Sequence, residues 1–324
     1  MPKHKVIAIA FADLHTHRFK NFDNQGSGRL YWHLRVLQDI AEEAERYGVS
    51  ILFAGDLLHN PKEVENVTMS KLLKTFQFQI QRRAIDFYGI SGNHDMSEKN
   101  SLKHVSPSHL DSFSIFDKFH KMDIAVKQGN GFCVAGIPYF NNDQDVVEVS
   151  KSLWKKAKQG SGLKILMIHG DFPGAKTNQG FKVNETEYIK YDTFKRWDLV
   201  ICGHIHKKQK LTNNVYMLGA PLQLDAGDEG NECGYWRIYD NGHMEFVELE
   251  GIPQFITLKV GETPPNKFHY YIAPGQSLVE EDIELGEFSN INDRSKLAKQ
   301  YCKAKGIKSK SKKRALTEIL NQPE

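Results

Sequence analysis

The chain has 324 residues, of which 40% are hydrophobic and 26% are charged, and its formal net charge at pH 7 is +3. This length exceeds what one hydrophobic core usually fills, so we expect a main domain of about 200 to 250 residues and a smaller appendage. The small net charge argues against a polycation that coats nucleic acid without selectivity.

Strands and helices alternate along the first two thirds of the chain. Short, nearly continuous apolar runs are typical of strands that are buried on both faces of a sheet, and longer runs with helical spacing are typical of amphipathic helices. Gly48 follows one such helix as a stop signal. This βαβ rhythm predicts a layered α/β fold. We predict strands at residues 5–12, 49–54, 85–90, 132–137, 163–168 and 199–202, and helices at residues 30–47, 67–83 and 146–158.

From residue 214 onwards the pattern changes to short strands separated by Gly and Asn turns. We expect antiparallel pairing there, with Asp240-Asn241-Gly242 as a hairpin turn. Pro264-Pro265 argues against a long helix in the region that follows. A boundary near residues 251–253 divides the chain into a main domain, a small capping domain and a basic tail. The predicted strands are residues 215–218, 235–239, 244–249 and 255–259, and the predicted domains are residues 1–250, 251–290 and 291–324.

The tail carries ten Lys or Arg residues between Arg294 and Arg314, and no Asp or Glu. Such a run is usually a solvated arm, and contact with nucleic acid or a protein partner is an equally good interpretation. The four cysteines lie far apart without a CxxC pair, which is typical of a reducing compartment and argues against a zinc knuckle. No apolar stretch approaches the roughly 18 residues of a membrane span, so we expect a soluble, cytoplasmic protein.

Five short signatures occur where predicted strands end. In layered α/β proteins the strand ends and the following loops build the site, so these signatures are expected to converge in space. Together they supply carboxylates, an amide and several imidazoles. The signatures are Asp13-Leu14-His15, Gly55-Asp56-Leu57-Leu58-His59, Gly92-Asn93-His94-Asp95, His169 and Gly203-His204-Ile205-His206.

These side chains are the ligand types that a pair of divalent cations needs. Two such cations about 3.5 to 4 Å apart lower the pKa of a shared water and clamp a phosphoryl group. Asp13 and His15 lie two residues apart on an extended segment and can chelate one cation together. His204 and His206 share that spacing, so one loop can offer two imidazoles to the site. Asp56 is the expected bridge between the cations. Asn93 and His169 offer further ligands, and the mixture of oxygen and nitrogen donors favours manganese, iron or zinc over calcium. We expect two manganese ions per chain, with magnesium, iron or zinc as alternatives.

Three further residues are candidates for catalysis without contact to metal. His94 has the chemistry to protonate a leaving oxygen, and Asp95 could orient the His94 ring through a hydrogen bond. His59 could reach a substrate phosphate. The remaining histidines at positions 17, 104, 109 and 120 lie outside the spaced set, so we assign them surface or supporting roles, and Cys202 is expected to pack in the core.

Taken singly, the shorter signals have ordinary structural explanations. Asp13 could cap a helix or turn after its strand, and an isolated His169 is more often a structural histidine than a ligand. The four-residue signatures Gly92–Asp95 and Gly203–His206 are more specific, because neither is good strand or helix material. The occurrence of all five in one order favours a dinuclear phosphoesterase.

Over about residues 5 to 250 the sequence resembles the calcineurin-like metallophosphoesterases, and within them the SbcD-type nucleases of double-strand-break repair. The segments Gly55–His59 and Gly219–Gln223 carry this resemblance most specifically. It implies a two-sheet sandwich flanked by helices, with a small C-terminal capping unit and a basic helical tail. It also implies one manganese held by Asp13, His15, Asp56 and His206, a second held by Asp56, Asn93, His169 and His204, and catalysis by His94 and His59.

The resemblance further implies 3′ to 5′ exonuclease and single-strand endonuclease activity on DNA. Related nucleases work as homodimers with an SbcC-like coiled-coil ATPase, which suggests that residues 294–305 and 313–320 form partner-binding helices. The usual glycine after the first signature is replaced by Thr16-His17-Arg18, and the region after residue 250 is short. The alternatives are a phosphatase or small-nucleotide phosphodiesterase with the same metal core, and a scaffold that has lost the chemistry.

Overall fold

The computed structural model describes residues 4–19, 29–98, 100–101, 104–177, 180–258 and 269–272. These residues belong to the first of the two units into which the chain divides, Met1–Pro274. Most of the predicted capping domain and the whole basic tail, including its two predicted helices, lie outside the described residues. The domain division therefore stays a prediction. Within the described residues, no helix combines the length and the apolar character needed to cross a membrane.

The strands are numbered in chain order. They are β1 Val6–Phe11, β2 Ser50–Phe53, β3 Phe87–Gly89, β4 Phe119–Lys121, β5 Ala125–Gln128, β6 Phe132–Ile137, β7 Leu163–His169, β8 Leu199–Gly203, β9 Gln209–Lys210, β10 Val215–Met217, β11 Gly234–Tyr239, β12 Met244–Glu248, β13 Gln254–Thr257 and β14 His269–Ile272. The α-helices are α1 Arg29–Tyr47, α2 Asn66–Phe76 and α3 Asp143–Ala157, and a π-helical turn, Gln77–Gln81, extends α2.

Two six-stranded sheets form the framework. The first has the order β12-β11-β1-β2-β3-β4, and the second has the order β5-β6-β7-β8-β10-β9. Strands β1 to β4 are parallel, as are β6, β7, β8 and β10. In each sheet the carboxyl ends of four strands therefore meet at one edge. This confirms the predicted α/β sandwich.

The C-terminal strands agree with the prediction only in part. Strands β11 and β12 pair antiparallel, as predicted. Strand β10 is parallel to β8, because the short strand β9 reverses the chain before β10 begins. Strand β13 is parallel to β14, so the antiparallel prediction is wrong there too. Two-residue β9 is too short to leave a pattern in the sequence.

Helix ends explain where the predicted and observed helix limits differ. Helix α1 ends before Gly48, whose φ of 63° is the left-handed conformation of a helix stop. Helix α3 begins at Asp143, three residues before the predicted start, because Asn142 caps it by accepting a hydrogen bond from the Gln144 amide. These first residues are polar and do not contribute to the apolar periodicity.

Three apolar clusters form the layers of the sandwich. One lies between the first sheet and helices α1 and α2, one lies between the two sheets, and one lies between the second sheet and α3. Strand β1 is buried on both faces, with Ile9 and Phe11 turned to the helices and Ala8 and Ala10 to the other sheet.

Candidate metal centre

The predicted signatures lie in loops at the carboxyl ends of the parallel strands. Asp13 and His15 follow β1, Asp56 follows β2, and Asn93 lies in a 3₁₀ turn after β3. From the second sheet, His169 ends β7, and His204 and His206 follow β8. The structure brings all seven predicted ligands together where the two sheet edges meet.

The loop backbones at this edge are unusual. Asp13, His15, Asp56 and His204 have φ values of 55°, 47°, 61° and 99°, which L-residues rarely adopt. Such conformations cost about 1 to 3 kcal/mol each and persist only when surrounding contacts hold them. The contacts here are backbone hydrogen bonds between the first two loops, from the Asp13 amide to the Gly55 carbonyl and from the His15 amide to the Asp56 carbonyl, both 2.9 Å. Nothing in the sequence indicated this backbone strain.

Glycines that open two of the signatures allow a close approach between loops. A Cβ atom on Gly92 would lie 2.1 Å from Oδ1 of Asp56, and a Cβ atom on Gly203 would lie 2.3 Å from the carbonyl oxygen of Ala54. Any larger residue at either position would displace the Asp56 carboxylate or the end of β2. The glycines are therefore required by space at these two positions.

Three groups of described side chains have the spacing needed to hold a cation, with the ligand atoms of each group within 4.8 Å of one another, and one of them is His15, His59 and His94. The other two consist of predicted ligands. The first of these two is Asp13, His15 and His206, and the second is Asp56, His169 and His204. Oδ2 of Asp56 lies 3.2 Å from Nε2 of His169 and 3.4 Å from Nε2 of His15, so this carboxylate lies between the groups. That is the position a bridging ligand requires.

The amide of Asn93 completes the second group. Its Oδ1 lies 3.1 Å from Nε2 of His169 and 3.0 Å from Nδ1 of His204. In the first group, both ring nitrogens of His15 are buried with no hydrogen-bond partner among the described residues. A buried imidazole without a hydrogen bond is costly, and a bound cation would satisfy one of its nitrogens. The donor set thus fits a dinuclear metal site made of oxygen and nitrogen ligands.

Hydrogen bonds fix which ring nitrogen faces the site. Nδ1 of His169 lies 2.7 Å from the carbonyl oxygen of Ala54, and a carbonyl can only accept, so Nδ1 carries the proton. Nδ1 of His206 lies 3.2 Å from Oδ2 of Asp228. Both rings therefore direct Nε2 towards the cation position, as ligating histidines do. Asp228 was not among the predicted site residues, because it lies 22 residues beyond His206 among other acidic residues.

The acidic groups respond to burial and to the surrounding rings in opposite ways. Burial raises the pKa of Asp13 to about 6, although His169 and His206 oppose this shift. Burial also opposes ionisation of Asp56, but the rings of His169 and His15 hold the pKa of this carboxyl well below its usual value. The two rings therefore favour the charged form of Asp56.

The pKa values of the imidazoles also depart from their usual value. Burial lowers the pKa of His169, but Asp56 beside it outweighs burial and raises the pKa to about 9. The pKa of His206 likewise rises to about 9, because Asp228 outweighs burial. Burial and the neighbouring His169 lower the pKa of His204 to about 4. Cations entering the site must displace protons from His169 and His206, so their binding strengthens as pH rises.

The predicted role of Asp95 is wrong. Its carboxylate accepts hydrogen bonds from four backbone amides at 2.8 to 3.0 Å, and Nδ1 of His94 pairs instead with the carbonyl oxygen of His59. Neighbouring side chains on the 3₁₀ turn diverge, so Asp95 turns inwards while His94 faces the site. Asp95 fixes the turn that carries Asp56. The four donors are the amides of Asp56, Leu57, Leu58 and Gly92.

His59 and His94 lie beside the first metal group. Their rings are 5.5 Å apart and nearly parallel, and their nitrogens lie within 4.8 Å of those of His15. Burial, with the nearby rings of His94 and His17, lowers the pKa of His59 to about 3, so this ring is neutral at physiological pH. His59 and His94 therefore line one side of the space next to the first group of predicted ligands.

The other predicted histidines lie where surface or supporting roles would place them. His17 packs 5.4 Å from the ring of His59, and His120 pairs with Asp86. His104 faces Glu98, and Nε2 of His109 contacts the Pro61 carbonyl. Cys202 is fully buried in the cluster beside α3, which confirms the core assignment.

The sequence is similar to several known proteins. An uncharacterized protein of Acanthamoeba polyphaga mimivirus is 25% identical over 217 residues, which cover 65% of this chain and 16% of that protein. Exonuclease subunit 1 of Enterobacteria phage T4 is 24% identical over 188 residues, which cover 56% of this chain and 50% of that protein. The chain thus spans half or less of the length of these two relatives.

A crystal structure of a dimetal phosphatase from Danio rerio aligns with 75% of this chain and 96% of its own, at 11% identity and a TM-score of 0.41. The sequence profile of calcineurin-like phosphoesterases matches residues 8–208, which is more than half of the chain and includes every predicted ligand. The chain therefore belongs to the calcineurin-like phosphoesterase family.

Proposed function

We propose that the protein is a Mn²⁺-dependent DNA nuclease, with 3′ to 5′ exonuclease and single-strand endonuclease activity in recombination, repair or DNA-end processing. The observation that carries this proposal is the pair His59 and His94 beside the metal groups. His59 stands three residues after Asp56, in the segment that most resembles SbcD-type nucleases. Similarity to the phage exonuclease subunit supports the same assignment.

Two divalent cations bound to these groups would supply a nucleophilic water at neutral pH and neutralise the phosphoryl oxygens. The protein's own residues would do the rest. Asp56 holds the two ligand groups at a fixed separation, because its backbone is anchored by Asp95 and its Oδ1 accepts the His94 amide at 2.8 Å. The ligands that would hold the cations are Asp13, His15, Asp56, Asn93, His169, His204 and His206.

His94 is the proposed catalytic residue. Donation of its Nδ1 proton to the His59 carbonyl orients the ring and leaves Nε2 to exchange a proton with the leaving oxygen. His59 is neutral and faces the same space, so it is suited to hold a phosphate oxygen by a hydrogen bond rather than by charge. These roles require neither residue to bind metal.

Partners and compartment follow from the same proposal. We propose a homodimer that acts on DNA with an SbcC-like ATPase, in the cytoplasm, or in the host cytoplasm if the protein is of phage origin. The basic segment of residues 291–324 is the proposed contact for the ATPase. Deletion of residues 290–324 should abolish ATPase association in a pull-down assay, and association that survives the deletion would remove this part of the proposal.

A direct test is cleavage of end-labelled duplex and hairpin DNA with Mn²⁺, with and without a candidate ATPase. We expect His59→Ala to lose DNA cleavage while it keeps both metal positions. A matched control is His104→Ala, because His104 is an exposed histidine that pairs with Glu98 away from the metal groups. Full DNA cleavage by His59→Ala, or equal losses in both variants, would contradict the proposal.

The alternative is a phosphatase or small-nucleotide phosphodiesterase, which the dinuclear group supports equally well. DNA binding releases counterions, so the apparent affinity of a nuclease for DNA should fall steeply with added salt. A small phosphate ester should show a much weaker salt dependence. Efficient hydrolysis of nucleotides with no cleavage of DNA at any salt concentration would favour the alternative.

A further inference from the structure

The loop of residues 222–231, which follows β10, carries a buried carboxylate next to a metal ligand. Asp228 is 1% exposed and lies in a 3₁₀ turn, Ala226–Asp228. Its Oδ2 lies 3.2 Å from Nδ1 of His206 and accepts the Leu224 amide at 2.8 Å. Its Oδ1 accepts the side-chain amide of Asn231 at 3.2 Å. Asp228 is therefore held from both sides while it contacts His206.

We propose that Asp228 is a positioning residue that fixes the His206 ring for the cation group of Asp13, His15 and His206, and that strand β13 holds Asp228 in place. The proposal concerns metal binding alone. It does not depend on the substrate being DNA.

Strand β13 is bonded to both ends of this loop. The Phe255 amide donates to Oε1 of Gln223 at 2.7 Å, just before the turn. The Thr257 amide donates to Oε1 of Glu229 at 2.7 Å, and the Thr257 hydroxyl donates to Oε2 at 2.6 Å, just after the turn. The residue that orients His206 thus lies between two attachment points of a strand from the C-terminal part of the chain.

Arg29, the first residue of α1, also binds the loop of residues 222–231. Its guanidinium donates to the carbonyl oxygen of Leu224 at 2.8 Å and to that of Gln223, and it lies 4.8 Å from the ring of Phe19 and 5.2 Å from that of Phe255. A buried cation at the first residue of a helix opposes the helix dipole. The carbonyl and aromatic contacts offset that cost, and they tie α1, the loop and β13 into one unit.

The two metal groups consequently differ in how their imidazoles are supported. Nδ1 of His169 bonds to the Ala54 carbonyl directly after β2, which the sheet holds. Nδ1 of His206 bonds to a side chain on a loop, and that loop depends on β13. The group containing His206 is therefore the one whose affinity responds to changes around residues 223–229 and 254–257.

The test is calorimetric titration of the whole chain with Mn²⁺ alone, comparing Asp228→Asn with wild type. We expect one of two binding steps to weaken by about 10- to 100-fold, the range for loss of a group that supports a ligand, and the other step to stay unchanged. The matched control is Asp225→Asn, an exposed carboxylate in the same loop that accepts the Gly227 amide. It should change neither step.

A double-mutant cycle shows whether Asp228 acts through His206. If it does, Asp228→Asn combined with His206→Ala should bind Mn²⁺ no more weakly than His206→Ala alone. A further loss equal to that of the single Asp228→Asn variant would overturn the proposal. Equal weakening of both steps in Asp228→Asn, or no weakening of either, would overturn it as well.

Glu229→Ala tests the role of β13 and guards against failure of Asp228→Asn to fold, because Glu229 is exposed. This variant removes both acceptors of Thr257 and should weaken the same binding step by a smaller factor. An unchanged affinity at that step would overturn the role of β13. Thermal unfolding of each variant identifies any that have lost the fold.

Discussion

The two sheets contribute different chemistry to one site. Loops of the first sheet supply all three oxygen ligands, Asp13, Asp56 and Asn93, and one imidazole, His15. The ends of β7 and β8 in the second sheet supply His169, His204 and His206. Each of the two groups of predicted ligands contains residues from both sheets, so neither sheet alone supplies all the ligands of either predicted cation position. Metal binding therefore depends on correct packing of the interface between the sheets.

The first prediction concerns Asp56, whose carboxylate lies between the two groups of predicted metal ligands. Because Asp56 lies beside both His15 and His169, Asp56→Asn should reduce hydrolysis of bis(4-nitrophenyl) phosphate to background and lower Mn²⁺ binding at both positions. His169→Ala, from the second sheet, should weaken one position only. Equilibrium dialysis measures the number of Mn²⁺ ions bound by each variant and their affinity. Two tightly bound Mn²⁺ ions in Asp56→Asn would refute a bridging role.

The second prediction separates catalysis from metal binding within the first sheet. His94→Ala should lower the rate of phosphodiester cleavage by about 10²- to 10⁴-fold, as expected for loss of a general acid, with both Mn²⁺ ions retained. Initial rates and metal content measured on the same sample test this. Undiminished cleavage would show that His94 takes no part in proton transfer.

The third prediction concerns Asp95, the neighbour of His94. Asp95→Ala leaves four buried amides without their acceptor and should lower the free energy of unfolding by about 2 to 3 kcal/mol. Asp95→Asn keeps one oxygen acceptor and should lose less. Urea unfolding monitored by tryptophan fluorescence gives both values. If His94→Ala were equally destabilising, the difference between these neighbours would disappear.

The fourth prediction, with the smallest expected effect, concerns the pH dependence of stability at Asp86, which directly precedes β3 of the first sheet. Burial opposes ionisation of Asp86, but hydrogen bonds from His120 at 2.9 Å and Lys118 at 3.3 Å hold the pKa of this carboxyl below its usual value. A folded-state pKa below the unfolded value stabilises the protein above the unfolded pKa, and this stabilisation is lost as pH falls through the folded pKa.

The free energy of unfolding of wild type should therefore exceed that of Asp86→Asn near pH 5, and this difference should disappear as the pH falls to about 2. The pair is partly exposed, so screening by water limits the difference to at most about 1 kcal/mol. Urea titrations across this range measure it. A constant difference between the two proteins over the whole range would contradict the assignment.

Long buried strands and amphipathic helices were predictable from the sequence, because their patterns are local. Strand β1 and helix α1 agree with the predicted ranges to within a residue. The gathering of Asp13, Asp56 and His204 was also predictable, since strand ends in layered folds share an edge. Strands β4 and β5 were missed because they are short and their partly exposed residues form no continuous apolar run.

The remaining features depend on side-chain direction and long-range contact. Adjacency in sequence suggested that Asp95 serves His94, but the 3₁₀ turn sends the two side chains apart. Asp228 resembles its acidic neighbours Asp225 and Glu229 in the sequence, and only the fold shows that it is the buried one beside His206. Likewise, nothing local to Arg29 indicates that it binds a loop nearly 200 residues away.

The left-handed backbones of Asp13, His15, Asp56 and His204 carry a consequence for handling the protein. Without cations the chain bears this strain and leaves the buried His15 ring unsatisfied, and bound cations favour the folded state over the unfolded one. A chelator should therefore act as a mild denaturant as well as an inhibitor. Preparations stripped of metal should melt at lower temperature and be digested sooner by proteases than preparations to which Mn²⁺ has been restored.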